Sequence, residues 1–198
     1  LTTAFTLTVA HEFRAPLTAL QSFLNLLYNG YVSPEKQKRF IEQAIERSQG
    51  LLDMVDDLLN LATAREEMSP RNRVLISLAE PMEQAGILMQ ARAEEKGVSF
   101  SMQPMHRPVI EANPEQMREV WTNLISNAVK YSPAGSTVHI ALEQLADRAE
   151  LCVRDEGIGI SEADQQHLFE PFYRATNTGA VSGTGLGLAI TREAVELH

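Results

Sequence analysis

A single cysteine in 198 residues leaves no partner for an internal disulfide. Cys152 sits in Leu151-Cys152-Val153, an apolar strand pattern, and is expected as a small buried hydrophobe in a reducing compartment. The chain has no signal peptide and no apolar run of about 18 residues, so as it stands it is expected neither to span a membrane nor to be secreted. It also lacks long basic runs. With 17 Lys+Arg against 26 Asp+Glu, the net charge of -9 argues against nucleic acid or an anionic membrane surface as partner. No initiator methionine precedes Leu1, so the chain reads as a fragment of a cytoplasmic protein, with room for a membrane anchor upstream. Internal repeats and low-complexity tracts are missing too. What is present is 44% hydrophobic against 22% charged residues, which suits a globular chain of one large or two small domains.

The stretch from Ala10 to Leu20 sets His11 and Glu12 side by side on an amphipathic helix. Phe13, Leu17, Leu20, Leu24 and Leu27 recur at steps of four and three, a stripe of the helical-bundle kind. His11 lies roughly 160° from the middle of that stripe and therefore faces solvent. An exposed imidazole with a free ring lone pair is a competent nucleophile, with Glu12 the adjacent carboxylate that orients the ring or takes its proton; otherwise the pair is two ordinary polar residues on an exposed helix face. Pro16 removes a backbone hydrogen bond just below His11 and is expected to kink the helix. A zinc-protease H-E-x-x-H site is excluded, because position 15 is Ala15. His106, His139, His167 and His198 share no metal-ligand spacing, and surface or packing roles suffice for them.

Residues 3 to 29 are expected to form the first helix, ended by Asn29-Gly30. Ser33-Pro34-Glu35 opens a second. It carries one apolar row in Ile41, Ile45, Ser48, Leu52, Val55, Leu59 and Ala62 and an adjoining row in Ala44, Leu51 and Leu58. The first helix has a similar extra row in Ala19, Phe23 and Leu26. One partner helix covers one row, so two hairpins are expected to pair as a homodimeric four-helix bundle. The reading divides the chain into a hairpin at 1–66, a linker at 67–73 containing Pro70, and a second domain at 74–198. That domain reads as strand Val74 to Leu78, helix Glu80 to Lys96, strands Val98 to Met102 and Val109 to Ala112, and a helix to Tyr131. Asn113-Pro114-Glu115-Gln116 opens this last helix with a capping-box pattern. Thr137 to Glu143 and Ala149 to Asp155 form a hairpin, residues 161 to 184 hold a short helix and a polar loop, and Gly185 to Leu197 is helical. Such a mixture implies an α+β sandwich with helices on one face of a sheet.

Three stretches of this domain carry chemistry. Asn123, Asn127 and Lys130 share one helix face. Amide oxygens there either satisfy a neighbour or serve as hard ligands for Mg²⁺, with Lys130 charged toward phosphates and Tyr131 offering an aromatic face. Asp155-Glu156-Gly157-Ile158-Gly159-Ile160 leaves a strand with a carboxylate and two glycines, which is either a plain strand-ending turn or a close backbone approach to a nucleobase. Gly183-Thr184-Gly185-Leu186-Gly187-Leu188 puts three glycines before a helix, whose amides and dipole can hold phosphate. Its spacing is not that of a Rossmann dinucleotide loop.

In this order, behind a His-Glu helix, these motifs resemble the transmitter module of a two-component sensor histidine kinase. His11-Glu12-Phe13-Arg14 with Pro16-Leu17 matches the H box, Asn123 to Ser132 the N box, and Asp155 to Gly159 the G1 box. Phe169 to Arg174 matches the F box and Gly183 to Leu188 the G2 box. The resemblance implies a dimerisation and phosphotransfer hairpin followed by a Bergerat-type ATP-binding domain. His11 would be the phosphoacceptor and Glu12 its base or orienting carboxylate. Asn127 would be the Mg²⁺ ligand, with Asn123, Lys130 and Tyr131 around the nucleotide. Asp155 would accept from the adenine amino group, with Gly157 and Gly159 shaping the pocket, and Gly183, Thr184, Gly185, Leu186 and Gly187 would border the triphosphate. The stretch including Asn177 and Thr178 would be a lid, and Phe169 and Phe172 lid-anchoring core or ligand contacts. ATP would phosphorylate His11, which would pass its phosphoryl group to an aspartate of a response-regulator receiver domain.

Two departures qualify this expectation. Ala15 replaces the Thr or Asn found four residues after the histidine in members that dephosphorylate their regulator, so phosphatase activity is expected to be weak. The family also continues with two more strands, whereas this sequence stops at His198. Two other readings stand beside the kinase: a catalytically silent dimeric nucleotide-binding scaffold, and a Bergerat-fold ATPase. Asn123, where the ATPases carry a glutamate, and the His11 helix speak against the latter.

Overall fold

A computed structural model describes residues 3–63, 73–104, 106–179, 181 and 183–198. Helix α1 (Thr3–Tyr28) is one helix with Pro16 inside it. It ends as Asn29-Gly30 implies: Gly30 has φ 70°, its N–H donates to Leu27 O at 3.1 Å, and the Tyr31 N–H donates to Leu26 O at 3.0 Å. Helix α2 (Pro34–Thr63) returns antiparallel. Phe13, Leu20, Phe23 and Leu27 are half-buried opposite Phe40, Ala44, Leu51, Met54 and Leu58, with Phe23 and Phe40 edge-to-face at 5.6 Å. Of the two α2 rows, the one with Ile41, Ile45, Leu52, Val55 and Leu59 stays outside, these residues being between 41% and 64% exposed. Most of the linker expectation falls on residues 64–72, outside the described residues. No helix among the described residues is long and apolar enough to cross a membrane.

The second domain begins where Arg73 Nη2 donates to Leu197 O. Strand β1 (Val74–Ser77) pairs antiparallel with β3 (Val109–Ala112). Strand β2 (Ser99–Pro104) runs parallel to β4 (Thr137–Gln144), which pairs antiparallel with β5 (Ala149–Arg154). The strands expected in one sheet thus divide into two. Helices α3 (Ala79–Lys96) and α4 (Pro114–Tyr131) pack Met82, Ala85, Met89, Val120, Trp121 and Ile125 with Val138, Ile140 and Leu142 of β4. Trp121 is fully buried; truncating such a residue to alanine costs about 3–5 kcal/mol. Short α5 (Glu162–Gln165) precedes the F-box segment, and α6 (Gly187–Leu197) closes on α4.

Two local expectations are corrected. The Asn113 side chain caps α4 by accepting from the N–H groups of Glu115 and Gln116, at 2.9 and 3.3 Å. Gln116 does not close the box, however. The Asn113 N–H donates instead to His198 Nε2 at 3.0 Å, while His198 Nδ1 bonds Ala194 O at 2.6 Å, so His198 staples the end of α6 to the start of α4. Cys152 is exposed rather than buried. Leu151 and Val153 point inward from β5, and the period of two places Cys152 outside with Glu150 and Arg154.

Candidate active site

The end of α4 is the floor of the site, and loops from three other places close on it. Asn123, Asn127, Lys130 and Tyr131 are all half-buried. Lys96 Nζ donates to the carbonyls of Val129 (2.9 Å) and Lys130, satisfying the helix end. The Ile158 N–H reaches Tyr131 O at 3.3 Å, and the Gly157 N–H donates to Asp155 Oδ1 at 2.8 Å. A Cβ on Gly157 would lie 2.6 Å from that carboxylate oxygen and 2.8 Å from Tyr131 O. Only glycine lets the strand-ending turn seat against α4.

The glycine loop before α6 approaches the same floor. A Cβ on Gly183 would lie 2.7 Å from Lys130 Nζ, and one on Gly187 3.4 Å from Asn123 Oδ1. Asn123 Nδ2 donates to Gly187 O at 3.3 Å, and Lys130 Nζ stands 5.7 Å from the Tyr131 ring centroid. Gly185, at φ 72°, leaves no room for a side chain, since its Cβ would lie 2.6 Å from the backbone carbon of Phe172. Leu186 is fully buried, so its side chain anchors the loop and only its backbone borders the site. Thr184 Oγ1 accepts from the Leu186 N–H at 3.2 Å and donates to Asp57 Oδ2 of α2 at 2.5 Å.

Burial lowers the Lys130 pKa, aided by the charges of Arg174 and Arg92 and opposed by Asp57 and Asp53. The Asp57 pKa is raised, chiefly by burial; the Thr184 hydrogen bond opposes this, Asp53 and Asp56 add to it, and Lys130 also opposes it. The structure thus brings together the N-box, G1 and G2 residues. His11 and Glu12 are exposed on α1. Counted from the Phe23–Phe40 pair, His11 is level with about residue 52 of α2, roughly a turn and a half from Asp57.

Of the stretch between the F and G2 boxes, residues 180 and 182 lie outside the described residues. Asn177 Nδ2 donates to Gly159 O at 3.0 Å, and Thr178 Oγ1 to Ala175 O at 2.8 Å. Phe169 is not core: it is 45% exposed, with the Arg192 guanidinium 5.7 Å from its ring centroid. Phe172 is half-buried, has φ 67°, and donates its N–H to Gly185 O at 3.0 Å. Sequence reasoning missed Asp57, whose partner is 127 residues away. It also missed Asp164, although Ser161-Glu162-Ala163-Asp164 is a local capping signal. No group of three or more His, Cys, Asp or Glu able to hold a metal occurs among the described residues.

Comparison with known proteins places these features. Residues 2–67 match the His Kinase A (phospho-acceptor) domain, and residues 112–198 the histidine kinase-, DNA gyrase B- and HSP90-like ATPase family. The circadian input-output histidine kinase CikA of Synechococcus elongatus is 33% identical over 201 residues, covering 98% of this chain and 27% of that protein. The chain spans well under half the length of such curated relatives. Among solved structures, the Acinetobacter baumannii histidine kinase AdeS superposes with a TM-score of 0.75 at 24% identity, covering 94% of this chain and 86% of that one. Histidine kinase ThkA, solved in complex with the response regulator protein TrrA, gives 0.72 at 22% identity, covering 87% and 51%. A phospho-acceptor hairpin joined to an ATPase-type α+β domain, with its motif loops gathered at the end of α4, identifies the chain as a transmitter module of the two-component sensor histidine kinase family.

Proposed function

We propose that this module binds ATP, phosphorylates its own His11 and passes the phosphoryl group to an aspartate of a response-regulator receiver domain. The observation that carries this reading is the convergence of Lys130, the Gly157 turn and the Gly183–Gly187 loop on one floor, in a chain that also presents an exposed His11-Glu12 pair. Asp155 Oδ1 is engaged by Gly157, and its remaining acceptor capacity suits the adenine amino group. Gly159 completes that turn at φ 69°. Lys130, the Thr184 hydroxyl and the amides leading into α6 suit the phosphates. The Asn127 amide is half-buried and has no hydrogen-bond partner among the described residues, which fits it as a hard oxygen donor for Mg²⁺. Bound there, Mg²⁺ would supply charge neutralisation at the phosphate oxygens.

A ring nitrogen of His11 attacks the γ-phosphorus, the bond to the bridging oxygen breaks, and ADP leaves. Glu12 takes the proton that the ring gives up. Catalysis is positioning plus charge stabilisation. Asn123 cannot serve as a base for water, so the phosphoryl group is spared for His11, and Ala15 leaves regulator dephosphorylation weak. The exposed α2 row supports pairing with a second hairpin, and the ThkA complex supports a response regulator as partner. This reading assigns the module to the cytoplasm.

Incubation with Mg²⁺ and γ-labelled ATP should give label that survives alkali and is lost in acid, and His11→Gln should abolish the label while keeping ATP binding. Unlabelled protein that still binds ATP would overturn the kinase reading.

A further inference from the structure

One carboxylate outside the named motifs collects bonds from the segment that links the two nucleotide loops. Asp164 is 2% exposed and takes hydrogen bonds from three separate segments. Ser161 Oγ donates to Oδ2 at 2.7 Å from the start of α5, and Tyr173 Oη donates to Oδ1 at 2.7 Å from the F box. Thr176 donates twice from the entry to the lid, through its Oγ1 to Oδ2 at 3.1 Å and its N–H to Oδ1 at 3.4 Å. These bonds, Tyr173 foremost, hold the Asp164 carboxyl below its usual range, so the carboxylate is ionised where it collects its donors.

The residues next to its partners are the ones that touch the nucleotide loops. Phe172, beside Tyr173, gives its N–H to Gly185 O in the G2 loop and holds a left-handed φ of 67° that an unconstrained phenylalanine avoids. Asn177, beside Thr176, gives its side-chain amide to Gly159 O in the G1 loop. Both ends of the segment from Phe172 to Asn177 are thus fastened to a nucleotide loop, and its middle to Asp164.

We propose that Asp164 is a positioning residue for the nucleotide, setting through Tyr173 and Thr176 the separation of the G1 and G2 loops that base and phosphates must bridge. This rests on the reading of the site as an ATP site. Asp164→Asn keeps the volume but turns an amide N–H₂ toward donors and removes the charge. Tyr173→Phe removes one bond alone.

The test is titration of the full chain with a fluorescent ATP analogue and Mg²⁺, well below each variant's melting temperature, beside steady-state labelling of His11. Asp164→Asn should raise Kd about tenfold and Tyr173→Phe about threefold, as loss of bonds to a charged group implies. The double variant should be no weaker than Asp164→Asn, because Tyr173 acts through that carboxylate. Labelling rates at saturating ATP should stay within about twofold of the parent, so that KM moves and kcat does not. Unchanged Kd with a lowered melting temperature would make Asp164 structural only, and additive effects would make Tyr173 independent of it; either overturns the proposal. If the parent binds the analogue but never labels His11, the kinase reading falls while the Kd comparison still decides Asp164.

Discussion

Thr184 in the glycine loop and Asp57 on the hairpin helix share a hydrogen bond of 2.5 Å. In the proposed ATP site the carboxylate thereby occupies a hydroxyl that the loop would offer to phosphates, and its charge also acts on Lys130. On that reading Asp57 and a triphosphate would compete for the same donors. Asp57→Ala should therefore tighten ATP binding by about threefold, an effect typical of a partly exposed charge contact. Isothermal titration reads it directly, and weaker binding would show that Asp57 supports the loop. The sign with pH follows from the raised pKa: the stability that Asp57 gives the docked arrangement is fully present below its ordinary 3.8 and lost as pH rises through the higher value. Fluorescence transfer between labels on α2 and α6 should fall across that window in the parent and stay flat in Asp57→Ala.

Gly185 holds φ 72° with main chain of Phe172 against the place a Cβ would take. The left-handed backbone alone disfavours alanine by about 1–2 kcal/mol, and the clash with backbone adds to it. Gly185→Ala should destabilise the ATP domain by about 2 kcal/mol or more in urea unfolding and weaken ATP binding. Gly50, whose Cβ would meet nothing within 4 Å, is the control position and should accept alanine.

Leu52 and Ile45 are 56% and 64% exposed on the hairpin, so neither stabilises the protomer much by its own burial. If that row faces a second hairpin, Leu52→Glu should convert the protein to a monomer in light scattering while its circular dichroism keeps the helical signal. A parent that is already monomeric at micromolar concentration would refute the pairing.

What could be read from the chain depended on how far each interaction reaches. Asn113 was legible as a cap because its acceptor serves amides two and three residues away. The two rows on α2 were legible because helical periodicity separates them before any partner is known. The partner of the Asn113 N–H was not, since His198 is 85 residues distant and nothing local marks it. Cys152 was misread although its strand carried the answer: with Leu151 and Val153 inward, the residue between them faces out. The motif glycines were found by pattern, but the reasons for them differ by position. Gly157 yields to Asp155 and Tyr131, Gly183 to Lys130, and Gly185 to Phe172, and only the packed chain tells these apart.

The parallel pairing of β2 with β4 bears on the order of assembly. No tight turn can close such a pair; the chain must first lay down β3 and α4 between them. Contacts of that range form slowly, whereas α1 and α2 meet across a short turn and are synthesised before the second domain. In the proposed dimer, the choice of subunit therefore falls to the hairpins, before either ATP domain has folded.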